Sequence, residues 1–389
     1  MRTRATLGFL LLFLAGMMIP AVGQAAKKVQ KQKAAAGARP TLTIGKGQTL
    51  LFSQYKAVNG LVYNADGKIQ IADINKAWAA ISDLDISGTL EIKRTDPNVR
   101  VNDIMIVNKL TIEDGGRIET DGNFLTIFAN DFETVVNPKI AASILSFDPA
   151  NRKAASAPAQ NGRGGDGNVP GAGGSPGPNG VQGTLGEMGG GIHIFTSKFT
   201  GPLTIDLSGQ DGGDGSKGGR GGDGAQGPHG GDAETDPSGI FCRHDGDNGA
   251  PGGPSGPGGQ GGQAGRGGDG GVLSFFFVTS DTVTATNPRI TVDAGKPGAK
   301  GHGGDPGTPG RGGIAGSGRD GCHGGIQGPD GGSGGSYGDG PDAASAAKGS
   351  SNVIQLAGAA KIESSFKEAV SHQAVPKVPL LEQFGNQIK

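Results

Sequence analysis

Short runs in which apolar and polar residues alternate occupy the chain from Thr41 to Phe147. Turn sequences such as DGG, DG and DP separate these runs. Alternation with a period of two predicts short β-strands, and their regular spacing predicts stacked coils of a β-solenoid. The runs are LTI at 42–44, LVY at 61–63, IQI at 69–71, LEI at 90–92, VRV at 99–101, IMI at 104–106, LTI at 110–112 and LTIF at 125–128.

One segment, 74–84, has a helical period instead. Ile74, Trp78 and Ile81 share one face of a helix that Asp73 can cap. Such a helix would cover an open sheet edge near the start of the stack. We expect Trp78 to be a core or capping residue and not a platform for a ligand.

Pairs of strand-like segments recur further along the chain. In each pair an apolar tetrapeptide is followed by a turn and a second strand, and units that cannot bury their own apolar face must stack on their neighbours. The pairs are LTIF at 125–128 with NPKI at 137–140, IHIF at 192–195 with GPLT at 201–204, LSFF at 273–276 with NPRI at 287–290, and a weaker copy, NVIQL at 352–356 with AKIESS at 360–364.

Glycine occupies every third position between these pairs, at 171–189, 209–230, 253–271 and 295–316. In an extended helix with three residues per turn, a glycine stripe lets a neighbouring backbone approach closely enough to hydrogen-bond. The boundaries predict hairpins. One hairpin goes out over 209–231 and back over 246–271, the next goes out over 295–316 and returns towards 340, and a shorter first hairpin covers 162–190. A collagen-like trimer is the alternative.

The glycine-rich text, GGDGSKGGRGGDGAQG at 212–227, resembles snow-flea antifreeze proteins and the receptor-binding tip adhesins of some tailed phages. The strand blocks from Leu90 onward resemble right-handed β-helix proteins. The expected fold is therefore all-β: a right-handed parallel β-helix-like solenoid into which an antiparallel bundle of polyglycine-II helices is inserted.

Composition narrows the function. Hydrophobic residues make up 34% of the chain, 78 residues are glycine, and 35 basic residues face 36 acidic ones. Such a balance steers no nucleic acid, and aromatic residues for base stacking are few, so nucleic-acid binding is not expected.

The start of the chain predicts export. Arg2 and Arg4 precede an apolar run that ends at Pro20 and is followed by small residues, as in a secretory signal peptide over 1–25. An uncleaved signal anchor is the alternative. No later hydrophobic stretch predicts a transmembrane segment in the mature chain. We expect a bacterial-type protein that is secreted, periplasmic or at the cell surface.

The domain boundaries follow from these segments. After the signal peptide we expect a basic, disordered leader over 26–40 and a solenoid base over 41–158. Glycine-rich hairpins follow over 159–350, interleaved with solenoid strands at 191–208 and 272–294. Final strands and a tail complete the chain over 351–389.

The two cysteines, Cys242 and Cys322, fall at the outer turns of neighbouring hairpins. Export favours a disulfide between them. Together with His244 and His323 they could instead form a zinc site, but the spacing lacks the usual regularity of zinc ligands. No metal or cofactor is expected.

Two groups of acidic residues are candidate sites. The GGDG motifs at 164, 212, 221 and 267 resemble calcium-binding repeats but lack the apolar residue that follows the aspartate there, so we expect solvated aspartates. Asp114, Glu119 and Asp121 could serve a polysaccharide-cleaving enzyme, but turn aspartates are the preferred interpretation. No catalytic residue is predicted.

The hairpin tips are the candidate contact surface. Ile240, Phe241, Arg243 and His244 place apolar and cationic groups side by side, with Arg319 and His323 on the neighbouring turn. Ile240 and Phe241 could equally pack inward. The expected function is structural or adhesive and not enzymatic, with the tips presented to a glycan, a protein or another copy of the chain; the oligomeric state is open.

Three alternatives remain: a carbohydrate-active β-helix enzyme, a trimeric collagen-like protein, and an ice-binding protein. Ice binding needs a flat, weakly charged face. Five charged residues in the second hairpin argue against such a face: Asp211, Asp214, Lys217, Arg220 and Asp223.

Overall fold

The computed structural model describes residues 30–31, 39–59, 81–94, 96, 99–135, 138–159, 162–280 and 288–355. Over these residues the regular secondary structure is mostly β-strands in parallel sheets, with very little helix. The prediction of an all-β protein is confirmed. The signal-peptide and leader predictions, apart from residues 30–31 and 39–40, lie outside the described residues, as does the tail after 355.

Most of the described strands belong to two large sheets. The order is β1-β2-β4-β6-β8-β10-β14-β16 in the first sheet and β15-β11-β9-β7-β5-β3 in the second. All neighbours in both sheets are parallel except β1 and β2. The first-sheet strands are β1 (Gln30–Lys31), β2 (Thr41–Ile44), β4 (Asp83–Ile86), β6 (Asn102–Ile112), β8 (Phe124–Thr134), β10 (Gly191–Thr200), β14 (Val272–Ser280) and β16 (Ser350–Gln355). The second-sheet strands are β3 (Thr49–Leu51), β5 (Thr89–Glu91), β7 (Arg117–Glu119), β9 (Ala142–Leu145), β11 (Leu203–Asp206) and β15 (Arg289–Thr291).

The repeated strand pairs stack in register. Leu125 of β8 pairs with Ile192 of β10, which pairs with Leu273 of β14. These side chains are fully buried and belong to one apolar cluster, which contains residues from successive strands of both large sheets. Alternation of apolar and polar residues places the apolar side chains on the inner side of the strands, as period two requires.

Several predicted strands are placed differently. IMI at 104–106 and LTI at 110–112 lie in a single strand, β6, and VRV at 99–101 forms no strand. The described part of NPKI, 138–140, precedes β9 instead of belonging to it, because Ile140 is 63% exposed and the inward alternation begins at Ala142. The runs at 61–63, 69–71 and 360–364 lie outside the described residues.

The helix prediction was wrong at its end. Most of 74–84, including Trp78, lies outside the described residues, but Asp83 and Leu84 belong to β4. Leu84 is buried between parallel neighbours, and this tertiary pairing overrides the helical pattern. The described helix is α1 (Phe52–Val58), whose Phe52 and Tyr55 share a buried face.

Six glycine-rich segments, here called legs, leave and rejoin the sheets. Each outgoing leg follows a strand of the second sheet, and each returning leg leads into the next strand of the first sheet. The outgoing legs are A (152–167, with 160 and 161 outside the described residues), C (209–232) and E (295–316). The returning legs are B (171–190), D (246–271) and F (325–349).

Backbone hydrogen bonds join these legs into two layers. In the outgoing layer, Gly164 N donates to Arg220 O and Gly212 N donates to Lys296 O, both over 2.8 Å, so the legs lie in the order A, C, E. In the returning layer the order is B, D, F; for example, Gly177 N donates to Pro257 O over 2.9 Å. Antiparallel bonds join the layers, as from Gly256 N to Gly222 O over 2.8 Å. The predicted mutual pairing of the glycine tracts is confirmed.

Glycine is required at these contacts. A Cβ added at Gly259 would lie 1.9 Å from Pro178 O, and one at Gly262 would lie 2.0 Å from Val181 O. Because the strands that precede and follow the legs are stacked in register, consecutive legs inherit the spacing of parallel strands. The sheets thus position both layers of the hairpins.

Candidate functional site

The far end of the second and third hairpins extends beyond the first. The turn residue Gly171 of the first hairpin lies level with Pro228 and Pro251, since a Cβ there would lie 3.5 Å from atoms of both. Leg C continues to 232 and leg D starts only at 246. The segment between them contains two short antiparallel strands, β12 (Glu234–Thr235) and β13 (Cys242–His244). We call residues 232–247 and 317–325 the tip.

The predicted disulfide between Cys242 and Cys322 is confirmed, with Cα atoms 5.0 Å apart and a sequence separation of 80 between the partners. Backbone contacts reinforce it: Ala233 N donates to Ser317 O over 2.9 Å, and His323 N donates to Asp245 Oδ1 over 2.8 Å. The two sulfur atoms form a disulfide bond, so neither is a thiolate that could bind zinc. The disulfide therefore joins the two segments of the tip.

An aspartate organises the protruding turn of the tip. Asp236 Oδ1 accepts hydrogen bonds from the backbone N–H of Ile240, over 3.0 Å, and of Phe241, over 3.1 Å. Its other oxygen accepts from Ser238, and these bonds lower the pKa of the Asp236 carboxyl. The turn holds Ile240 at 70% exposed and Phe241 at 69% exposed. The inward-packed alternative for these two side chains is not what the structure shows.

The predicted cationic residues of the tip are also exposed. Arg243, His244, Arg319 and His323 all lie at the surface around the disulfide. His244 Nε2 lies 4.0 Å from a carboxylate oxygen of Asp247. The structure therefore brings all six predicted residues to the tip, where the two large apolar side chains, Ile240 and Phe241, are exposed.

The aspartates of the four GGDG motifs have a role that the sequence interpretation missed. Each accepts a hydrogen bond from a backbone N–H of the next leg in its layer, so they are neither merely solvated nor free to bind calcium without breaking these bonds. The pairs are Asp166 with Asp223 N (2.7 Å), Asp214 with Ala299 N (2.8 Å), Asp223 with Thr308 N (2.6 Å) and Asp269 with Ala347 N (2.7 Å). The constant triplet phase of these aspartates was the available sequence signal.

Arginines strengthen the same contacts. Arg163 of leg A bridges Asp166 and Asp223, and Arg220 reaches Asp223 over 2.8 Å and Thr308 Oγ1 over 2.9 Å. The bond from Thr308 N, with the two arginines, lowers the pKa of Asp223 to about 2. The outer face of the outgoing layer is thus a charged network.

The two outer faces of the bundle differ in charge. The residues whose charge argued against a flat face all lie on the outgoing layer, together with further charged residues of leg E such as Lys296, Asp305 and Arg311. On the returning layer, the outward positions of legs B, D and F contain two charged residues, Arg266 and Asp269, which pair with each other over 2.6 Å. The charged residues of the second hairpin therefore do not exclude a weakly charged face, because the outer face of the returning layer does not contain them.

The candidate catalytic carboxylates have structural partners. Asp114 Oδ1 accepts from Ile140 N over 2.6 Å, and Glu119 lies 2.7 Å from the Nε of Arg117. Burial raises the pKa of both Glu119 and Asp121. Asp121 adopts a φ of 49° at a turn, 3.8 Å from Arg94. Asp114 and Asp121 therefore lie in turns, as the sequence favoured, whereas Glu119 is a buried residue at the end of β7 and not a turn residue.

Fold and tip together define a class: an all-β protein whose parallel sheets carry glycine-rich hairpins that a disulfide joins at the far end. Comparison of the chain with protein-family models, curated proteins and solved structures found no match. Within the described ranges, no helix combines the length and the apolar character that crossing a membrane requires.

Proposed function

We propose that the protein is a secreted or surface-attached, non-enzymatic scaffold that presents its disulfide-clamped tip to a ligand. The single observation that carries this proposal is the tip itself. Ile240 and Phe241 are about 70% exposed on a turn that Asp236 and the disulfide hold in place. Exposed apolar side chains on an ordered support, beside cationic residues, are typical of contact surfaces.

In this proposal the sheets form a β-solenoid and the legs form a polyglycine-II bundle. In-register parallel strands that alternate between two sheets support the solenoid. Hydrogen bonds repeated every three residues between extended, glycine-rich legs support the bundle. The glycine N–H groups are paired within one chain, whereas a collagen-like trimer would pair them between chains.

Secretion is supported by the signal-peptide pattern of residues 1–25 and by the disulfide. A non-enzymatic role is supported by the candidate carboxylates, since Asp114 and Glu119 are engaged with the backbone of Ile140 and the side chain of Arg117. Among the described residues, the tip lies at the end of legs C, D and E away from the sheet strands, which makes it accessible to a ligand on another surface.

The test is binding of the purified, oxidised chain to an immobilised glycan array, because self-association could use another surface of the chain. We expect binding to at least one glycan, and its loss when Ile240→Ser and Phe241→Ser are combined. Ile140→Ser, which removes an equally exposed apolar side chain near the sheets, is the matched control and should bind as wild type does. Equal binding by the tip variant, or no binding by the wild type, would contradict the proposed role.

A further inference from the structure

The outer face of the returning layer, here called the return face, consists of one outward position in every triplet of legs B, D and F. In leg D the pattern is clear, since Pro254 and Gln260 are exposed while the glycines between them are buried. Gly174 N donates to Pro254 O, and Gly252 N donates to Pro329 O, so the three legs lie side by side. The face is therefore a continuous surface three legs wide.

The return face is uneven. Larger side chains project along the leg B edge, here called the high edge, whereas glycine, alanine and proline line the leg F edge, here called the low edge. Leg B presents Pro176, Asn179, Gln182, Leu185 and Met188, all of them exposed. At the same levels leg F presents Gly335, Gly338, Pro341, Ala344 and Ala347, judged by the backbone bonds that connect both legs to leg D.

Packing within the chain does not explain the glycines of the low edge. A Cβ added at Gly332, Gly335 or Gly338 would meet nothing within 4 Å, unlike those at the interior glycines. Gln263 and Arg266 of the central leg reach towards leg F, where they donate to Asp342 O and Ser345 O. The side chains of Gln263 and Arg266 therefore lie along the return face and do not project far from it.

We infer that the return face binds the return face of a second copy of this chain. A twofold axis parallel to the legs places the high edge of each copy over the low edge of the other. Leu185 then faces Ala344 of the partner subunit, and Met188 faces Ala347 of the partner subunit. The face is complementary to itself under this operation, as an isologous interface requires.

Area and charge agree with this occupant. Leg B is about 60 Å long at about 3.1 Å per residue, and three legs at strand spacing are about 15 Å wide, which gives roughly 900 Å² per copy. A standard stable interface needs about 800 Å² per partner. Two outgoing faces brought together would oppose rows of like charges, including Asp214 and Asp223, whereas the charges of the return face are already paired.

Sedimentation velocity of the oxidised mature chain over a wide concentration range tests the inference. The wild type should have twice the mass of one chain. Gly335→Trp, placed where a Cβ meets open space, should fold normally by circular dichroism yet weaken dimerisation by at least about tenfold. Ala299→Trp, an equally exposed position on the outgoing face, is the matched control and should dimerise as wild type does.

Three outcomes would overturn the inference: a wild type that is monomeric at all concentrations, a trimer, or a dimer that Gly335→Trp leaves unchanged. A monomer that shows thermal hysteresis, lost in Gly335→Trp, would mean that the face binds ice instead of a second copy. Ligand binding by the tip is a separate readout, because none of these substitutions lies in 232–247 or 317–325.

Discussion

The carboxylate of Asp223 accepts a hydrogen bond from the backbone N–H of Thr308, 85 residues later in the chain, over 2.6 Å. The same separation recurs along the two legs, from Asp211 to Lys296 N, from Asp214 to Ala299 N and from Asp232 to Ser317 N. In the returning layer the separation is 78, as from Asp245 to His323 N, Asn248 to Ile326 N and Asp269 to Ala347 N. Side chains therefore fix the register between the second and third hairpins.

The last leg of the returning layer does not continue this pattern. The matching positions of leg F carry Ile326, Gly332, Gly335 and Ala344, for example, and no aspartate or asparagine. Without these acceptors a fourth hairpin, or leg B of another molecule, would find no side chain to fix its register at this edge. Within the part of the chain that the structure describes, the returning layer therefore ends at leg F.

Acid should loosen the hairpins. Hydrogen bonds lower the pKa of Asp223 to about 2, and the pKa values of Asp214 and Asp232 are also lowered. A carboxyl whose folded pKa lies below its unfolded value of about 3.9 contributes stability above that value and loses it as the pH falls towards the folded pKa. We expect the melting temperature to fall between about pH 4 and pH 2, and to fall less in Asp223→Asn.

Glu119, Asp85 and Asp131 act in the opposite direction, because burial raises their pKa values. Protonation of these groups favours the folded state, so they cannot cause a loss at low pH. Melting curves recorded across this range check the prediction. A wild-type melting temperature that stays constant down to pH 2 would contradict the role of the aspartate contacts.

The same substitution at two glycines should have opposite consequences. In Gly262→Ala the new Cβ would lie 2.0 Å from Val181 O, so legs B and D must separate, and we expect a loss of at least about 2 kcal/mol. In Gly335→Ala the new Cβ meets open space, so the change should be neutral or stabilise by up to about 1 kcal/mol. Urea denaturation of both variants provides the comparison, and similar losses in the two would refute the close-packing argument.

Removal of the disulfide should loosen the tip before the sheets. The bond between Cys242 and Cys322 closes a loop of 80 residues, worth about 4 kcal/mol in the chain-entropy model. Limited proteolysis of the double variant Cys242→Ser and Cys322→Ser should cleave first within 234–244, while the buried strands β8 and β10 stay intact. First cleavage within those strands, or an unchanged cleavage pattern, would show that the disulfide does not clamp the tip.

The sequence predicted the parts of the fold that depend on local periodicity. Alternation located the cores of β8, β10 and β14, and the glycine phase located the legs and hence both cysteines. It could not place β9, since the exposure of Ile140 depends on tertiary packing, nor α1, whose Phe52 and Tyr55 are buried by distant strands. The separation of charge between the faces also needed the leg order, because which triplet position points outward depends on the neighbours of each leg.

Amide hydrogen exchange along leg D, followed residue by residue by NMR, tests the central claim that extended glycine-rich legs pair within one chain. Gly261 N donates to Gly338 O and Gly262 N donates to Ser216 O, while the N–H of Gln263 has no partner among the described residues. The third position is proline at 251, 254 and 257, and Gln260 N donates to Asn179 Oδ1, so the informative part of leg D is 261–271. There the account predicts slow exchange at Gly262, Gly265 and Gly268 and fast exchange at Gln263, Arg266 and Asp269, independent of protein concentration. Uniformly fast exchange, or one protected amide in three that appears only in a trimer, would contradict it.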